Sequence, residues 1–186
     1  MAGAAVRVIC LSGDAGSGKS STARRLAERL ASHGWVRASS GDVFRAYCEE
    51  QRIPPEEIPR LPAEKHREVD ARMRARMESA AEAGPGLIAD GRLVGYLGAG
   101  IPGALRVFLT CSPAERARRI AARESTPLED VRAKTERRDL EDASRFEELY
   151  GIRYRDPEHY DLILSSERLD LDRVVATLLA AAGLVS

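Results

Sequence analysis

The stretch that decides the fold reads Gly13-Asp14-Ala15-Gly16-Ser17-Gly18-Lys19-Ser20. It matches the pattern G-x-x-x-x-G-K-[ST], which binds phosphates when it joins a buried strand to a helix. An apolar run at 6–11 precedes the loop, and apolar residues recur at helical spacing after it: Ala23, Leu26, Ala27 and Leu30. A plain strand-to-helix turn would explain the glycines but neither the lysine nor the serine. The sequence therefore predicts a site for a nucleoside triphosphate.

Each part of this loop has a chemical role in such a site. Successive backbone N–H groups converge on the phosphates. Lys19 adds a cation near the outer phosphates, and the Ser20 hydroxyl can ligate Mg²⁺. The loop itself does not identify the acceptor of the phosphoryl group, which has to be inferred from residues elsewhere in the chain.

Size and composition narrow the class of protein. The 186 residues suffice for one domain with a real core, and 29 basic residues balance 29 acidic ones. This neutrality argues against partners such as nucleic acid or an anionic membrane. Three cysteines without CxxC or Cys/His spacing favour reduced, buried thiols, and no basic leader or run of ~18 apolar residues occurs. We expect a cytoplasmic protein.

Short apolar runs alternate with helical patterns along the chain. The runs lie at 6–11, 87–89, 105–110 and 161–165, with a weaker one at 35–38. This alternation predicts an α/β fold, a five-stranded parallel sheet sandwiched by helices. Ligands in such sheets bind beyond the carboxyl ends of the strands, so residues at those ends are the first candidates for a site.

Two segments have the pattern of mobile elements. Ser112-Pro113-Ala114-Glu115 and Thr126-Pro127-Leu128-Glu129 each form a capping box with proline at the first helical position. One helix at about 113–123 would stop, and another would start at Pro127, which predicts a hinged cap at 124–126. The prolines Pro54, Pro55, Pro59 and Pro62 interrupt the chain between two further helices. Two such elements beside a phosphate loop suggest closure over two substrates.

Polar residues follow two of the predicted strands. Ser39-Ser40-Gly41-Asp42-Val43-Phe44-Arg45 opens a helix and offers N–H groups, hydroxyls and a guanidinium, although an ordinary N-cap with a surface arginine would look the same. Asp90-Gly91-Arg92 places two charges at the end of a buried strand. Asp90 could hold a Mg²⁺-bound water, and Arg92 could reach a phosphate or a base edge.

Cationic stripes flank the predicted cap. Arg116, Arg119 and Arg123 recur along the helix that enters it, and Lys134, Arg138, Asp142 and Arg145 recur along the helix that leaves it. Such runs are usually solvated faces with intrahelical pairs. If the two stripes face each other, they could clamp a transferring phosphoryl group, whose charge spreads over its equatorial oxygens.

Taken together, these stretches make the chain resemble the P-loop nucleoside monophosphate kinases, and among them the short cytidylate (CMP) kinases typical of archaea. The resemblance runs in order along nearly the whole chain. Besides the phosphate loop it includes Ser40-Gly41-Asp42-Val43-Phe44-Arg45, Asp90-Gly91-Arg92-Leu93-Val94-Gly95, Ala114-Glu115-Arg116-Ala117-Arg118-Arg119-Ile120, residues 138–150, Gly151-Ile152 and Tyr160-Asp161-Leu162-Ile163-Leu164.

The resemblance implies the P-loop kinase fold as a single domain over 1–186, with a helical arm for the nucleoside monophosphate at about 40–83 and a short helical lid at about 119–138. It implies ATP as phosphoryl donor with Mg²⁺, CMP or dCMP as acceptor, and no other partner. The donor would be bound by Gly13, Asp14, Ala15, Gly16, Ser17, Gly18, Lys19, Ser20 and Ser21. The metal would be held by Ser20 and Asp90. The acceptor would be bound by Ser40, Gly41, Asp42, Arg45, Asp90, Arg92 and Asp142. The catalytic cations would be Lys19, Arg119, Arg123, Arg138 and Arg145.

Two departures leave alternatives open. Asp14 brings a carboxylate close to incoming phosphates, where such kinases often have a neutral residue, and it could weaken nucleotide binding. The residues that would read the pyrimidine ring are not evident, so another nucleotide or a small hydroxylated metabolite stays open as acceptor. An alcohol acceptor would call for a base such as Asp42 or Asp90. A nucleotide-dependent switch ATPase is a further alternative, which the arginine-rich cap disfavours. We expect a monomer.

Overall fold

Five parallel strands form one sheet in the order β2-β3-β1-β4-β5. The computed structural model describes residues 5–54, 57 and 61–184. The strands are β1 (Val8–Gly13), β2 (Val36–Ser39), β3 (Leu87–Asp90), β4 (Ala104–Thr110) and β5 (Leu162–Ser165). All five predicted strands are present. The largest shift is in β1, which begins and ends two residues later than predicted because Ser12 and Gly13 still pair with β4.

Helices cover both faces of the sheet, as predicted. They are α1 (Lys19–Leu30), α2 (Ser40–Glu50), α3 (Ala63–Glu82), α4 (Val94–Leu97), α5 (Pro113–Glu124), α6 (Leu128–Tyr150) and α7 (Leu171–Ala181). Successive residues of a strand point to opposite faces. Ile9 and Leu11 of β1 accordingly pack with α1 and α7, whereas Val8 and Cys10 pack with α2, α3 and α4.

The register of the strands brings the predicted polar residues to one edge. Asp90 at the end of β3 pairs with Leu11 of β1 on one side and with Ser39 of β2 on the other. The phosphate loop leaves β1 at this same edge, and α2 begins directly after Ser39. The parallel order therefore places the loop, the start of α2 and the end of β3 next to one another.

The predicted break between two helices is present, but its caps differ from the prediction. Ser112 caps α5, because its Oγ accepts a hydrogen bond from the backbone N–H of Glu115 at 3.3 Å. The second capping box is wrong: no side chain caps α6. Ser125 adopts a left-handed conformation (φ 52°), and the N–H of Thr126 then bonds Ala121 O at 3.2 Å. The Thr126 hydroxyl also donates to Glu124 O at 3.3 Å, so both polar groups of this residue bond to the end of α5.

The predicted arm contains α2 and α3, which pack against each other. Of the prolines that interrupt it, Pro55 and Pro59 lie outside the described residues. The movement of arm and lid, and the monomeric state, stay predictions. No helix within the described ranges is both long enough and apolar enough to cross a membrane.

Candidate active site

The phosphate loop has the backbone geometry of an anion site. Gly18 precedes α1 in a left-handed conformation (φ 90°), and no side chain caps the start of that helix in the described chain. Its first N–H groups thus remain available to an anion. Gly16 (φ 80°) packs so closely that a Cβ would lie 2.8 Å from the carbonyl oxygen of Arg116. Only glycine fits there, so the loop is held tightly against the start of α5.

Lys19 is the cation of this loop. Its Nζ donates a hydrogen bond to the main-chain oxygen of Asp14 at 2.7 Å. Burial, together with the charges of Arg92 and Arg138, outweighs the attraction of Asp14 and Asp90 and lowers the pKa of Lys19 to about 7. An anion bound beside Lys19 would offset both its burial and the neighbouring positive charges.

Ser20 and Asp90 lie together as the metal prediction requires. The Ser20 hydroxyl donates to Asp90 Oδ1 at 3.1 Å, and Asp90 itself is buried. Its other oxygen, Oδ2, accepts from Arg37 at 2.7 Å, a contact that was not predicted. Two adjacent oxygens suit Mg²⁺, which in such sites completes its shell with phosphates and water. The described residues contain no cluster of three His, Cys, Asp or Glu side chains that could hold a metal by itself.

The start of α2 closes over the end of β3. Ser40 packs on Gly91 so tightly that a Cβ on this glycine would lie 2.2 Å from Ser40 Oγ. One turn later Arg45 forms an ion pair with Asp42, and both side chains are more than half exposed. Ser40 therefore lies against the end of β3, and Arg45 lies farther out on the surface of α2; their predicted role in binding the acceptor stays a prediction.

Arg92, Asp142 and Arg145 form one cluster around the buried carboxylate of Asp142. The Asp142 carboxylate forms ion pairs with both arginines. The Arg92 side chain is 12% exposed, and its Nη2 atom is buried without a hydrogen-bond partner among the described residues. A buried donor of this kind is costly unless a ligand accepts from it. The cluster therefore carries excess positive charge and a free donor.

The other predicted cations lie at different distances from the loop. Arg138 is exposed, yet its charge lowers the pKa of both Lys19 and Arg92, so it acts on the site. Arg119 lies beside Gly18 and donates to Ser166 Oγ at 3.1 Å and to Ser166 O at 2.8 Å. Arg123 is 68% exposed and pairs with its neighbour Glu124. Among the described residues Arg123 makes no ion pair with the phosphate loop, and its catalytic role stays a prediction.

Asp139 is the main residue that sequence reasoning missed. Its carboxylate contacts Arg116 at 2.7 Å, Arg155 at 3.3 Å and Arg92 at 3.5 Å. Where Arg116 of the first stripe meets α6, its partner is a carboxylate and not a second cation, and Arg116 is buried there. Two guanidinium groups buried together would repel each other. A signal was present: the buried face of α6 comprises Val131, Thr135, Asp139, Asp142, Phe146 and Leu149, a helical stripe with two acids in it.

The Asp14 carboxylate in the loop is hydrogen-bonded and paired with a cation. Its Oδ1 accepts hydrogen bonds from the Tyr154 hydroxyl and from Arg155 Nη2 at 2.9 Å. Although burial opposes it, these two bonds and the nearby positive charges lower the pKa of Asp14 below its ordinary value. Tyr154 and Arg155 were not predicted, because they are remote in sequence from the loop.

The strand order, together with a phosphate loop after β1, defines the class of P-loop kinases. A gluconokinase from Sinorhizobium meliloti superposes on the chain with a TM-score of 0.60 at 19% identity, covering 97% of this chain and 93% of the enzyme. That likeness is one of fold.

Sequence comparison identifies the family within this class. The cytidylate kinase-like family matches residues 8–168. The cytidylate kinase of Methanoculleus marisnigri is 37% identical over 164 residues, which cover 88% of this chain and 87% of that enzyme. The cytidylate kinase of Natronomonas pharaonis is 34% identical over 174 residues, with 94% and 88% covered. The chain belongs to the cytidylate kinase-like family and is a phosphotransferase.

Proposed function

We propose that the protein transfers the γ-phosphoryl group of ATP to CMP or dCMP, giving CDP or dCDP. One observation carries the proposal: the Arg92–Asp142–Arg145 cluster adjoins the phosphate loop, close enough that the charge of Arg92 adds to burial in lowering the pKa of Lys19. The site therefore has a place for a triphosphate beside a place for a second anion.

The donor half is the loop and the start of α1. The backbone N–H groups and Lys19 bind the phosphates of ATP, and Ser20 and Asp90 hold Mg²⁺ directly or through water. When bound, Mg²⁺ neutralises charge on the phosphates and orients them. Lys19 keeps its proton once the phosphates are bound, because their negative charge offsets its burial.

The acceptor half is built from α2, the end of β3 and α6. Ser40, Arg45 and Arg145 bind the acceptor's phosphate, Arg92 donates its free Nη2 to that phosphate or to the cytosine edge, and Asp142 orients the two arginines or binds the ribose. A phosphate acceptor is already ionised, so transfer needs positioning and charge neutralisation and no general base. Arg119, Arg123, Arg138 and Arg145 neutralise the transferring group when the lid closes.

An alcohol acceptor fits the site less well. It would need a carboxylate free to take its proton. Asp90 is bonded to both Ser20 and Arg37, and Asp42 is paired with Arg45. Both predicted candidates for a base are thus already engaged by a guanidinium group.

Acceptor-dependent ADP formation tests the proposal. The assay uses ATP and Mg²⁺ with CMP, dCMP, UMP, AMP, cytidine, gluconate or no acceptor. We expect strong stimulation by CMP or dCMP and none by cytidine, which has the same base but no phosphate. Stimulation by gluconate alone would point to an alcohol acceptor, and slow hydrolysis without stimulation by any acceptor would indicate a switch ATPase.

A further inference from the structure

The chain places a carboxylate inside its own phosphate loop. Asp14 is the second residue of the loop, its side chain is 13% exposed, and its main-chain oxygen accepts from both Lys19 Nζ (2.7 Å) and Ser17 N (3.2 Å). The atoms that hold the catalytic cation and the atoms that carry the extra negative charge thus belong to one residue. An uncompensated carboxylate here would repel a triphosphate, because little water separates the charges.

A cation from a distant segment compensates this carboxylate. Arg155 contacts Asp14 Oδ1 through Nε at 3.2 Å and through Nη2 at 2.9 Å. Its guanidinium lies over the ring of Tyr154, with 5.1 Å from Cζ to the ring centroid, and the Tyr154 hydroxyl bonds the same oxygen. Tyr154 is buried, so it fixes the guanidinium in place.

The same guanidinium reaches the helix that returns from the lid. Arg155 Nη2 lies 3.3 Å from Asp139 Oδ2 on α6, where Arg116 also binds at 2.7 Å. Arg116 in turn donates to the main-chain oxygen of Ala15 in the loop at 3.1 Å. Two carboxylates and two guanidinium groups thus meet between loop and lid helix, and Arg92 lies 3.5 Å from the same Asp139 carboxylate.

We propose that Arg155 is a positioning residue that neutralises Asp14, so that the phosphate loop binds a triphosphate despite its own acidic residue. Removal of Arg155 leaves the Asp14 carboxylate without the guanidinium that contacts it, and so with an uncompensated negative charge beside the phosphates. Arg155 itself needs no contact with the nucleotide in this role. The inference rests on the proposed binding of ATP to the loop.

Nucleotide binding by a double-mutant cycle tests the inference. The dissociation constants for ADP and for MgATP are measured by titration calorimetry in wild type, R155M, D14N and D14N/R155M. We expect R155M to weaken binding about tenfold or more, which corresponds to about 1.4 kcal/mol. D14N is expected to bind a few-fold more tightly than wild type, because Arg155 then acts on the phosphates without its counter-charge. D14N/R155M is expected to recover at least most of the affinity that R155M loses.

The affinity recovered in D14N/R155M distinguishes neutralisation of Asp14 by Arg155 from direct contact between Arg155 and the phosphates. If Arg155 bound the phosphates itself, D14N would recover only a small part of the affinity that R155M loses, and that result would overturn the inference. So would an R155M protein that binds like wild type. R153M is the matched control, since Arg153 is 85% exposed and pairs only with Asp156 within the described residues.

Two further measurements keep the result interpretable. R155K preserves the charge and is expected to bind nucleotide with an affinity close to that of wild type. If R155M does not fold, R155K and D14N/R155M are used to test the inference instead. The KM for ATP should change more than kcat in R155M, because the proposed role concerns binding. Failure of the wild-type protein to bind any nucleotide would refute the proposed function. Normal binding by wild type without recovery of affinity in D14N/R155M would refute only the proposed neutralisation of Asp14 by Arg155.

Discussion

Replacing Lys19 by methionine is expected to stabilise the ligand-free protein while it destroys activity. The reason is the position of the charge. The Nζ atom has one hydrogen bond among the described residues, to Asp14 O at 2.7 Å, and it lies among the charges of Arg92 and Arg138. Methionine keeps a similar length of side chain and removes the charge.

The size of the effect follows from the pKa of Lys19, which burial and the neighbouring cations lower from 10.5 to about 7. One pKa unit corresponds to about 1.4 kcal/mol, so the charged form is destabilised in the folded protein by at most roughly 5 kcal/mol. Loss of the hydrogen bond to Asp14 O destabilises the K19M protein by about 1 kcal/mol and so offsets part of this gain. Lys19 is only partly buried, and relaxation reduces the penalty further. We therefore expect K19M to raise the free energy of unfolding by about 1–3 kcal/mol at pH 7.

The pH dependence gives an independent check of the cause. Between the lowered pKa of about 7 and the ordinary value of 10.5, the unfolded chain holds a proton on Lys19 that the folded protein has lost. Wild-type stability therefore gains from rising pH in this window. The advantage of K19M is full below about pH 7 and shrinks as the pH approaches 10.5.

Urea unfolding without nucleotide at several pH values, followed by circular dichroism, measures both effects. R24M on the same helix is the control: Arg24 is exposed, and its loss is expected to change stability by no more than about 0.5 kcal/mol. Unfolding midpoints are compared only where the slope against urea is unchanged.

A K19M protein that is no more stable than wild type at pH 7 would refute this account of the loop. An advantage that persists unchanged to pH 10.5 would show that the gain comes from packing and not from charge. In the acceptor assay K19M should lose about 100-fold or more in turnover, as when other transition-state donors are removed. Near-normal turnover would refute the phosphate-loop mechanism.

Three other substitutions test the lid and its supports. R116M removes one partner of a buried ion pair with Asp139 and should lower the free energy of unfolding by about 3–5 kcal/mol, measured in urea. S112A removes the cap that accepts from Glu115 N and should lower it by about 1 kcal/mol, measured by thermal unfolding. R123A should leave stability unchanged but reduce kcat roughly tenfold or more, with little change in the KM for CMP, since its proposed contact forms when the lid closes.

Each of these substitutions has a control and a contrary outcome. T126A also removes a side-chain hydroxyl, but at a position that does not cap α6. An equal loss of unfolding free energy in T126A and S112A would therefore contradict the assignment of Ser112 as a cap. An R116M protein with wild-type stability would mean that the buried pair is dispensable. Unchanged kcat in R123A would remove Arg123 from the site.

Much of the fold and of the donor half could be predicted from sequence, because their signals are local. The spacing of glycines, Lys19 and Ser20 fixes the loop chemistry within eight residues, and apolar runs located five strands to within two residues. The N-cap at Ser112 is equally local and was confirmed. The cap predicted at Thr126 failed because its hydroxyl bonds to Glu124 O and its N–H bonds to Ala121 O, both at the end of α5.

The charge pairing across the site was decided only by tertiary structure. Nothing local in α6 says that Asp139 faces Arg116, since the two are 23 positions apart and meet only when α5 packs on α6. Asp14 and Arg155 are 141 positions apart. By itself the sequence therefore determined the fold, the loop and the presence of an unusual acid in it. Whether that acid is bare or neutralised depends on which distant guanidinium the fold brings within hydrogen-bond distance, because the effect of a charge depends on its neighbours in space.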